Sequence, residues 1–450
     1  MRCLLLSFFL CSWLTAGAFR ITVLDEENGW PVPLVELKTT HGVSYYTDNA
    51  GVVAVDLPEL MGRETWFSLR SDGYQVAADG FGMRGFRAIP EEGQSLVLKV
   101  KRTQLAKRLG RLTGAGLFAE SQKLGERREL GESGVVGCDS VQTVVHQGKL
   151  FWAWGDTSLA RYPLGLFHMT GAWTDLQPRE KWVPPLQLPY RFFRDEKGAP
   201  RVICEMPGEG PTWLSGLASL SDATGNKRLV GAYWKIKNHL EVYRSGLCVW
   251  NAEREVFEPF QILWESTGGG ERPLSPDGHP VFWTDEAGKK WILFGDPFPW
   301  MKCEATFEAW SDPAQWIELE AQKTVQARDS GAEIKVHRGS IAWNAYRQKW
   351  VAVFTQLGGE PSHLGEIWYA EAEKPTGPWG PAVKVVTHEN YTFYNPRLHP
   401  EFTAADSPVL LFEGTYTSEF SAAKKATPRY NYNQILYRLD LNDPLLTGEK

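Results

Sequence analysis

The segment GKLFWAWGDTS (Gly148–Ser158) is a short run of mainly apolar residues that ends on Gly-Asp-Thr. A second segment, KKWILFGDPF (Lys289–Phe298), ends in nearly the same way. Runs of this kind are typical of β-strands, and Gly-Asp is typical of the turn that follows a strand. Asp156 and Asp296 are therefore either turn residues that a β-fold needs or acids placed beside a substrate.

Similar apolar runs recur along the chain at intervals of 59 to 79 residues. Each run is preceded by another strand-like run and followed by a third, and in two units a Pro breaks the third strand before a Trp opens a fourth. Four strands per unit and five units predict an all-β, five-bladed β-propeller, in which four-stranded sheets surround a central channel. A pair of β-sandwiches is the alternative, but regular repetition disfavours it. The runs begin at Lys149, Arg228, Lys290, Lys349 and Pro408.

The propeller is expected to span residues 133–443. The run NQILYRLDL (Asn433–Leu441) is expected to finish the fifth blade, and the stretch Gln122–Glu132 is expected to add an outer strand that closes the ring. A basic linker, residues 101–132, precedes it. Its leucines at 105, 109 and 112 share one face of a helix, so a short connecting helix is predicted, with the Lys and Arg side chains in solvent.

The N-terminal part of the chain predicts a leader and a small module. Residues 1–18 combine Arg2, an apolar stretch and a small-residue cleavage site, which is typical of a secretory signal peptide. Residues 19–100 contain short alternating runs separated by Asn-Gly and Asp-Gly turns, which predict a small antiparallel β-sandwich. The segment DNAGVVAVDLP (Asp48–Pro58) resembles the transthyretin-like, or carboxypeptidase-regulatory-like, sandwich. That resemblance implies a non-catalytic module of a secreted enzyme.

Composition narrows the class of partner. A formal net charge of −6 over 450 residues argues against nucleic acid, which needs a basic face. Twenty tryptophans and 13% aromatic residues suit tightly packed sheets or surfaces that stack on sugars. No apolar stretch after the signal peptide is long enough to span a bilayer, so a secreted or periplasmic protein is expected.

The cysteines do not predict a metal site. An oxidising compartment would permit one or two disulfides among the four cysteines outside the signal peptide. No Cys/His cluster indicates zinc, and no cofactor is expected. Whether an ion such as calcium occupies the channel is left open by the sequence. The four cysteines are Cys138, Cys204, Cys248 and Cys303.

Propeller geometry brings a set of polar and aromatic residues to one mouth of the channel. The start of a blade's first strand, the end of its second and the start of its third lie on the same face. Carboxylates, a His, basic groups and aromatic rings at these positions have the composition of a polar-ligand site. The residues are Asp139, Asp156, Trp213, Trp234, Lys235, His279, Asp296, Arg338, Glu366, Asn395 and Glu413.

Converging carboxylates suit glycoside hydrolysis. One acid must stay protonated to donate to the leaving oxygen, while another stays ionised to activate water or attack the anomeric carbon. Crowding separates the pKa values of such acids, because like charges resist ionising together. Arg338, Lys235 and His279 are expected to moderate that repulsion and to bind sugar hydroxyls.

A five-bladed propeller with Asp139 opening its first blade resembles the arabinanase, levanase and invertase type of glycosidase. GKLFWAWGDT also resembles a family of secreted five-bladed propellers that includes endo-D-arabinanases. The resemblance covers about residues 133–443 and implies that Asp139 is the base or nucleophile. It does not assign the proton donor: the second blade begins with GPTWLSG, which has no Asp, and the third lacks an evident Glu. The candidates are Asp296, Glu413, Glu205 and Glu366.

The predicted function is glycosidic-bond hydrolysis by an exported protein, with Asp139 and either Asp296 or Glu413 as the pair and Asp156 as a further catalytic candidate. The alternative is a non-catalytic propeller that binds carbohydrate or the cell envelope through the same mouth. A protein-interaction scaffold would instead predict an uncharged or apolar mouth.

Overall fold

The computed structural model describes residues 17–127, 133–166, 169–177, 182–238, 240–266 and 272–447. The fold is all-β, with three short α-helices and two single-turn 3-10 helices among the described residues. The predicted signal peptide, residues 1–18, lies almost wholly outside the described part of the chain. Its presence therefore stays a prediction.

Two four-stranded sheets form the N-terminal part of the molecule. One has the strand order β4-β1-β8-β6 and the other β3-β2-β5-β7. Their buried faces share one hydrophobic cluster, which includes Ile21 and Val53 from the first sheet and Leu37 and Phe67 from the second. This is the arrangement of a β-sandwich. The strands are β1 (Phe19–Asp25), β2 (Glu36–Thr39), β3 (Ser44–Tyr46), β4 (Val52–Val55), β5 (Thr65–Arg70), β6 (Tyr74–Gln75), β7 (Gly85–Ala88) and β8 (Ser95–Arg102).

The segment after the sandwich forms a strand, so the predicted connecting helix is wrong. β9 (Lys107–Arg111) pairs antiparallel with the last long strand of the chain and thereby closes the fifth blade. Arg108 and Arg111 are buried, contrary to the expected solvated basic face. The outer strand expected at residues 122–132 is also wrong for residues 122–127, because α1 (Ala119–Lys123) includes the first two of them and none of the rest lies in a strand. Its last five residues, 128–132, lie outside the described residues.

Five further antiparallel sheets follow in chain order. Blade one is β11-β12-β15-β16, with a three-stranded sheet β10-β13-β14 beside it, and blade two is β17-β18-β19-β20. Blade three is β21-β22-β23-β24, blade four has five strands from β25 to β29, and blade five is β30-β31-β32-β9. The elements are β10 (Val135–Cys138), β11 (Gln142–His146), β12 (Lys149–Trp154), β13 (Thr157–Leu159), β14 (Tyr162–Leu166), β15 (Thr170–Asp175), β16 (Arg191–Phe192), β17 (Thr212–Ser221), β18 (Lys227–Lys237), β19 (Glu241–Asn251), β20 (Val256–Glu265), β21 (Val281–Thr284), β22 (Lys290–Gly295), β23 (Pro299–Glu304), α2 (Phe307–Ser311), β24 (Ile317–Glu318), β25 (Thr324–Gln326), β26 (Glu333–Asn344), β27 (Lys349–Gln356), β28 (Ile367–Ala372), β29 (Val383–Val386), β30 (Thr392–Leu398), β31 (Val409–Thr417), β32 (Asn433–Asp440) and α3 (Pro444–Thr447).

Hydrophobic clusters join the five sheets into a closed ring. Separate clusters lie between blades one and two, two and three, three and four, and four and five. A fifth cluster joins blade five to blade one through Leu411, Leu436, Leu150 and Trp152. A pair of β-sandwiches would not give this circular sequence of contacts, so the propeller prediction is confirmed. In blade three, α2 stands between the third and fourth strands, where the sequence predicted only a break at Pro.

Candidate functional site

Hydrogen bonds tie each blade to the next around one opening of the channel, which we call the mouth. The links join residues that lie in or just before innermost strands, except that Asp156 and Asp296 lie just after second strands. The end of a second strand and the start of its innermost partner meet at the same end of an antiparallel pair. Residues distant in the chain are thereby brought together. The links are Trp213 Nε1 to Asp156 Oδ1 (3.1 Å), Gly278 N to Ser215 Oγ (2.9 Å), Gly339 N to Asp296 Oδ1 (2.7 Å), Leu398 N to Ser340 Oγ (2.7 Å) and Asn395 Nδ2 to Ser140 Oγ (2.6 Å).

Innermost strands are irregular at the mouth. The pairing register shifts in β17 after Ser215, in β26 after Val336 and in β30 after Tyr394. Bulges of this kind redirect side chains and are common beside active sites. In β30 the consecutive residues Tyr394 and Asn395 both bond to blade one, which regular alternation would not allow.

Asp139 and Asp156 lie side by side in blade one because Gly155 has no side chain. The Gly155 N–H donates to the carbonyl oxygen of Asp139 at 2.8 Å. A Cβ on Gly155 would stand 2.0 Å from Asp139 Oδ1, so the carboxylate lies directly against this glycine. Both aspartates are partly buried rather than enclosed. The Gly-Asp pair of blade one therefore places two acids together at the mouth.

Hydroxyl groups surround the carboxylate of Asp139. Tyr394 donates to Asp139 Oδ2 at 2.5 Å, and Tyr432 and Ser140 also hydrogen-bond this side chain. Burial raises the pKa of Asp139, while these hydrogen bonds and the positive charge of Arg338 act in the opposite direction. Burial and the charge of Asp139 hold the pKa of Tyr394 well above its ordinary value, so its hydroxyl remains a donor.

Asp156 has a different environment. Within the described part of the chain, the side chain of Asp156 accepts a hydrogen bond from the indole N–H of Trp213, a neutral donor from blade two. Burial, together with the negative charge of Asp139, raises the pKa of Asp156 to about 7. Two adjacent carboxyl groups of this kind titrate as a pair and hold one proton over part of the pH range. The carboxyl group of Asp156 has fewer hydrogen-bond donors around it than that of Asp139.

The Gly-Asp pair of blade three is used differently. Asp296 accepts from Gly339 N and lies 3.3 Å from Arg338 Nη1, so it ties blade three to blade four. Burial raises the pKa of Asp296, against the charge of Arg338. A further acid, Asp277, is only 5% exposed. Burial raises the pKa of Asp277 to about 7, with Arg272 lowering it and Asp296 raising it.

Glu413 lies in the interior. Its side chain is fully buried, and Oε1 lies 2.7 Å from His399 Nε2. His399 Nδ1 in turn lies 2.9 Å from Glu401 Oε1, so the imidazole bridges two carboxylates. Burial lowers the pKa of His399, but its hydrogen bonds with Glu401 and Glu413 outweigh that effect and raise it. The arrangement is a buried ion-pair network within blade five.

Lys235 and Trp234 occupy successive positions in β18 but differ in accessibility. Lys235 is buried, and its Nζ donates to the carbonyl oxygen of Gly210 at 2.6 Å and lies 3.3 Å from Thr212 Oγ1. Burial lowers the pKa of Lys235. Trp234 is half-buried, and the guanidinium of Arg272 lies 5.0 Å from its ring centroid.

The remaining predicted residues are dispersed. Glu366 is buried at the start of the third strand of blade four, where Lys384 Nζ is 2.8 Å away and Thr387 donates to it. Its surroundings contain none of the mouth's acids. Glu205 is exposed on a loop, whereas His279 is 5% exposed at the start of blade three.

The sequence reasoning missed four residues of the mouth: Tyr394, Tyr432, Asp277 and Arg397. Tyr394 directly precedes the predicted Asn395, and Asp277 lies two residues before the predicted His279. Strict alternation directs consecutive strand residues such as Tyr394 and Asn395 to opposite faces, and Asp277 lies in the loop before β21, where alternation does not apply. The bulge after Tyr394 is the feature that brings such neighbours to the same site.

A groove of about 270 Å³ lies away from the mouth, between the segment after β9 and β16. It is lined by Leu112, Phe118, Tyr190 and Arg194 among others, and by none of the mouth's acids.

Within the described residues, no three His, Cys, Asp or Glu side chains are arranged to hold a metal ion. The four described cysteines are buried and free. No helix in the described ranges is long and apolar enough to cross a membrane.

No family model and no curated protein matches this chain. Among solved structures, a candidate exo-β-1,3-galactanase from Bifidobacterium bifidum aligns with a TM-score of 0.44 and 11% identity, over 75% of this chain and 94% of that one. An exo-1,5-α-L-arabinanase from a bovine ruminal metagenomic library aligns with a TM-score of 0.38 and 11% identity, over 68% and 94%. A family 43 glycoside hydrolase from Bacillus licheniformis gives 0.37 and 12%, over 67% and 70%. Similarity at this level carries no argument about the activity of this chain.

Proposed function

We propose that the protein is an exported glycoside hydrolase in which Asp156 is the general acid and Asp139 is the base or nucleophile. The observation that carries the proposal is the contrast between two adjacent carboxyl groups. Asp139 is hydrogen-bonded by Tyr394, Tyr432 and Ser140, whereas Asp156 accepts one indole N–H. Burial raises the pKa of both groups, and that of Asp156 to about 7. Divergent environments for paired carboxyl groups are how acid and base roles are separated.

In the proposed reaction, the glycosidic oxygen lies beside Asp156 and the anomeric carbon faces Asp139. The carboxyl proton of Asp156 passes to the glycosidic oxygen as the bond between that oxygen and the anomeric carbon breaks. Asp139 either attacks the anomeric carbon or takes a proton from the water that attacks it. Donation from Tyr394 and Tyr432 stabilises the ionised carboxylate and fixes its orientation.

Aromatic side chains at the mouth support a carbohydrate ligand. Trp213 and Trp234 are half-buried, and Phe420, 64% exposed, lies 6.4 Å from Tyr394 between ring centroids. Exposed ring faces beside polar groups are suited to stacking on sugars. The likeness of residues 133–443 to arabinanase-type and levanase-type enzymes makes L-arabinan, D-arabinan and levan the first substrates to test.

The proposal is tested by comparing Asp139→Asn and Asp156→Asn with the wild type on these polysaccharides, measuring the release of reducing ends. Both variants are expected to lose at least about a hundredfold in kcat. An aryl glycoside with a good leaving group needs no acid assistance, so it should restore bond cleavage in Asp156→Asn but not in Asp139→Asn. Glu286→Gln, at an 87% exposed carboxylate in the hairpin between β21 and β22, is the matched control and is expected to keep full activity.

Unchanged activity in both Asp variants would overturn the assignment. Absence of turnover by the wild type on every glycan, with glycan binding that persists in Asp139→Asn, would favour a carbohydrate-binding propeller. These outcomes are distinguishable because binding is measured on the same proteins by calorimetry.

A further inference from the structure

Two guanidinium groups approach the mouth from neighbouring innermost strands. Arg338 lies in β26 and Arg397 in β30. These strands are joined by Ser340, whose Oγ accepts from Leu398 N at 2.7 Å and donates to the carbonyl oxygen of Pro396 at 3.1 Å. The two arginines therefore flank one interblade contact, and both are at least partly exposed.

Neither arginine has a full set of acceptors. Arg397 has no ion pair among the described residues, its Nε is buried without a partner, and its Nη1 donates to the carbonyl oxygen of Leu398. The side chain of Arg338 is 46% exposed, and its one ion pair within the described ranges is the 3.3 Å contact with Asp296. A guanidinium offers five N–H donors, so most of those on the pair remain available.

His279 adds a buried donor to the same region. It is 5% exposed, and its backbone N–H donates to the carbonyl oxygen of Gly295, the residue before Asp296, at 2.8 Å. Burial lowers its pKa well below the ordinary value, and the positive charges of Arg397, Arg338 and His399 lower it further. The imidazole is therefore neutral and lies within electrostatic reach of both arginines.

A simpler role for Arg397 is to neutralise the interior. Arg397 and Glu413 are direct cross-strand partners in β30 and β31, and Glu413 Oε2 has no hydrogen-bond partner among the described residues. However, the other oxygen of Glu413 is bound by His399, and Arg397 forms no ion pair with it. This role predicts an effect of Arg397 on stability without any effect on ligand affinity.

We propose that Arg338, Arg397 and His279 form a subsite for an anionic group of the glycan, either a uronate carboxylate or a sulfate ester. Arginine recognises both groups through paired N–H donors. The charge of Arg338 also lowers the pKa of Asp139, so the subsite is within electrostatic reach of that carboxylate. The inference rests on the proposed hydrolase function and specifies its substrate class as an acidic glycan.

The test is calorimetric titration of the full-length Asp139→Asn protein with sodium glucuronate, sodium sulfate and glucose. Glucuronate or sulfate is expected to bind at least about tenfold more tightly than glucose, with an affinity that falls as salt is added. Binding of glucuronate without sulfate identifies a uronate subsite, and the reverse result identifies a sulfate subsite. Adding Arg338→Met or Arg397→Met is expected to remove the preference. Arg254→Met, at a 70% exposed side chain in blade two, is the matched control.

Equal affinity for the anions and for glucose would overturn the subsite. Normal anion binding by both Arg338→Met and Arg397→Met would also overturn the subsite. If Arg397→Met were then less stable to urea, the role of Arg397 would be structural. Because Arg338 is exposed, its variant tests the subsite even if Arg397→Met does not fold. Hydrolysis of neutral arabinan without anion binding would contradict the anionic subsite but would still support the proposed hydrolase function. Anion binding without hydrolysis of any glycan would support the subsite and contradict the proposed hydrolase function.

Discussion

Gly155 positions an acid by lacking a side chain. Its Cα lies where any Cβ would meet the Asp139 carboxylate, at 2.0 Å. Heavy atoms cannot approach this closely, so a methyl group must displace Asp139 from the Tyr394 hydroxyl. Such a displacement separates the base from its donors while leaving the strand intact.

Gly155→Ala is therefore expected to lower kcat on the order of a hundredfold, because a displacement of about 1 Å at a catalytic group has that effect. Kinetics on the best polysaccharide substrate would measure it. Gly80→Ala is the control, since a Cβ added at Gly80 would meet no atom within 4 Å and activity should not change. Full activity in Gly155→Ala would refute the close packing of Gly155 against Asp139.

The pH profile depends on Asp156. An acid must be protonated to donate, and the pKa of Asp156 is about 7, so kcat is expected to fall as the pH rises through about 7. The Trp213 indole lowers this pKa by hydrogen bonding to the ionised form. Trp213→Phe should therefore move the alkaline limb to higher pH. A limb that stays in place, or moves to lower pH, would contradict the assignment of the acid.

For individual residues of the mouth, the sequence predicted the acids but not the side chains that hydrogen-bond them. Asp139 and Asp156 follow from strand order and from the Gly-Asp motif. Tyr394 and Tyr432 did not, because a bulge and the loop before β32 direct them to blade one. Tyrosine is also common in sheet cores, so its identity alone gave no signal.

At the scale of the strand, the network of His399 with Glu401 and Glu413 stabilises blade five from inside. The network crosses the turn between β30 and β31, and its imidazole is stacked on Phe402 at 4.3 Å between centroids. Deleting one member leaves buried charge without its partner, which is more costly than losing an exposed ion pair.

Glu413→Ala is accordingly expected to lower the free energy of unfolding by about 3–5 kcal/mol. Urea denaturation followed by tryptophan fluorescence would measure the change. Glu258→Ala, which breaks an exposed ion pair with Arg254, should cost less than about 1 kcal/mol. A stable Glu413→Ala protein without activity would instead indicate a chemical role for Glu413.

β9 shows why strand identity could not be read locally. Leucines at 105, 109 and 112 fit a helical face, and the intervening basic residues suggest solvent exposure. Instead the backbone pairs with β32, more than three hundred residues away, and Arg108 donates to the carbonyl oxygens of Pro33 and Asp72. A guanidinium surrounded by carbonyl oxygens can be buried, but those acceptors become neighbours only in the folded chain.

At the scale of the whole molecule, the sandwich is docked firmly onto the propeller. The side chain of Asn49 is fully buried and bonds to Arg111 N, Arg111 O and Leu186 O at 2.8–3.0 Å. Asp48 accepts from the backbone and hydroxyl of Ser121 at 2.7 and 2.8 Å. From the sequence, the segment Asp48–Pro58 indicated only the type of sandwich, because a local motif does not reveal its distant partners.

Asn49→Ala is expected to lower the free energy of unfolding by about 2–4 kcal/mol, since it leaves three buried backbone groups unpaired. Calorimetry should then resolve two transitions where the wild type shows one. Asn226→Ala, in an exposed hairpin turn, is the control and should keep a single transition. A single unshifted transition in Asn49→Ala would mean that the two parts unfold independently of this contact.

Because β9 precedes all the blades in the chain but pairs with β32 of the fifth blade, the order of synthesis decides when the ring can close. This strand leaves the ribosome before any blade exists, whereas its partner, Asn433–Asp440, emerges only after more than three hundred further residues. The ring of blades therefore stays open, with β9 unpaired, until β32 has been synthesised. A nascent chain that stalls between β9 and β32 would expose unpaired strand edges, which can pair with other chains. Binding by a chaperone would prevent aggregation most effectively during this interval.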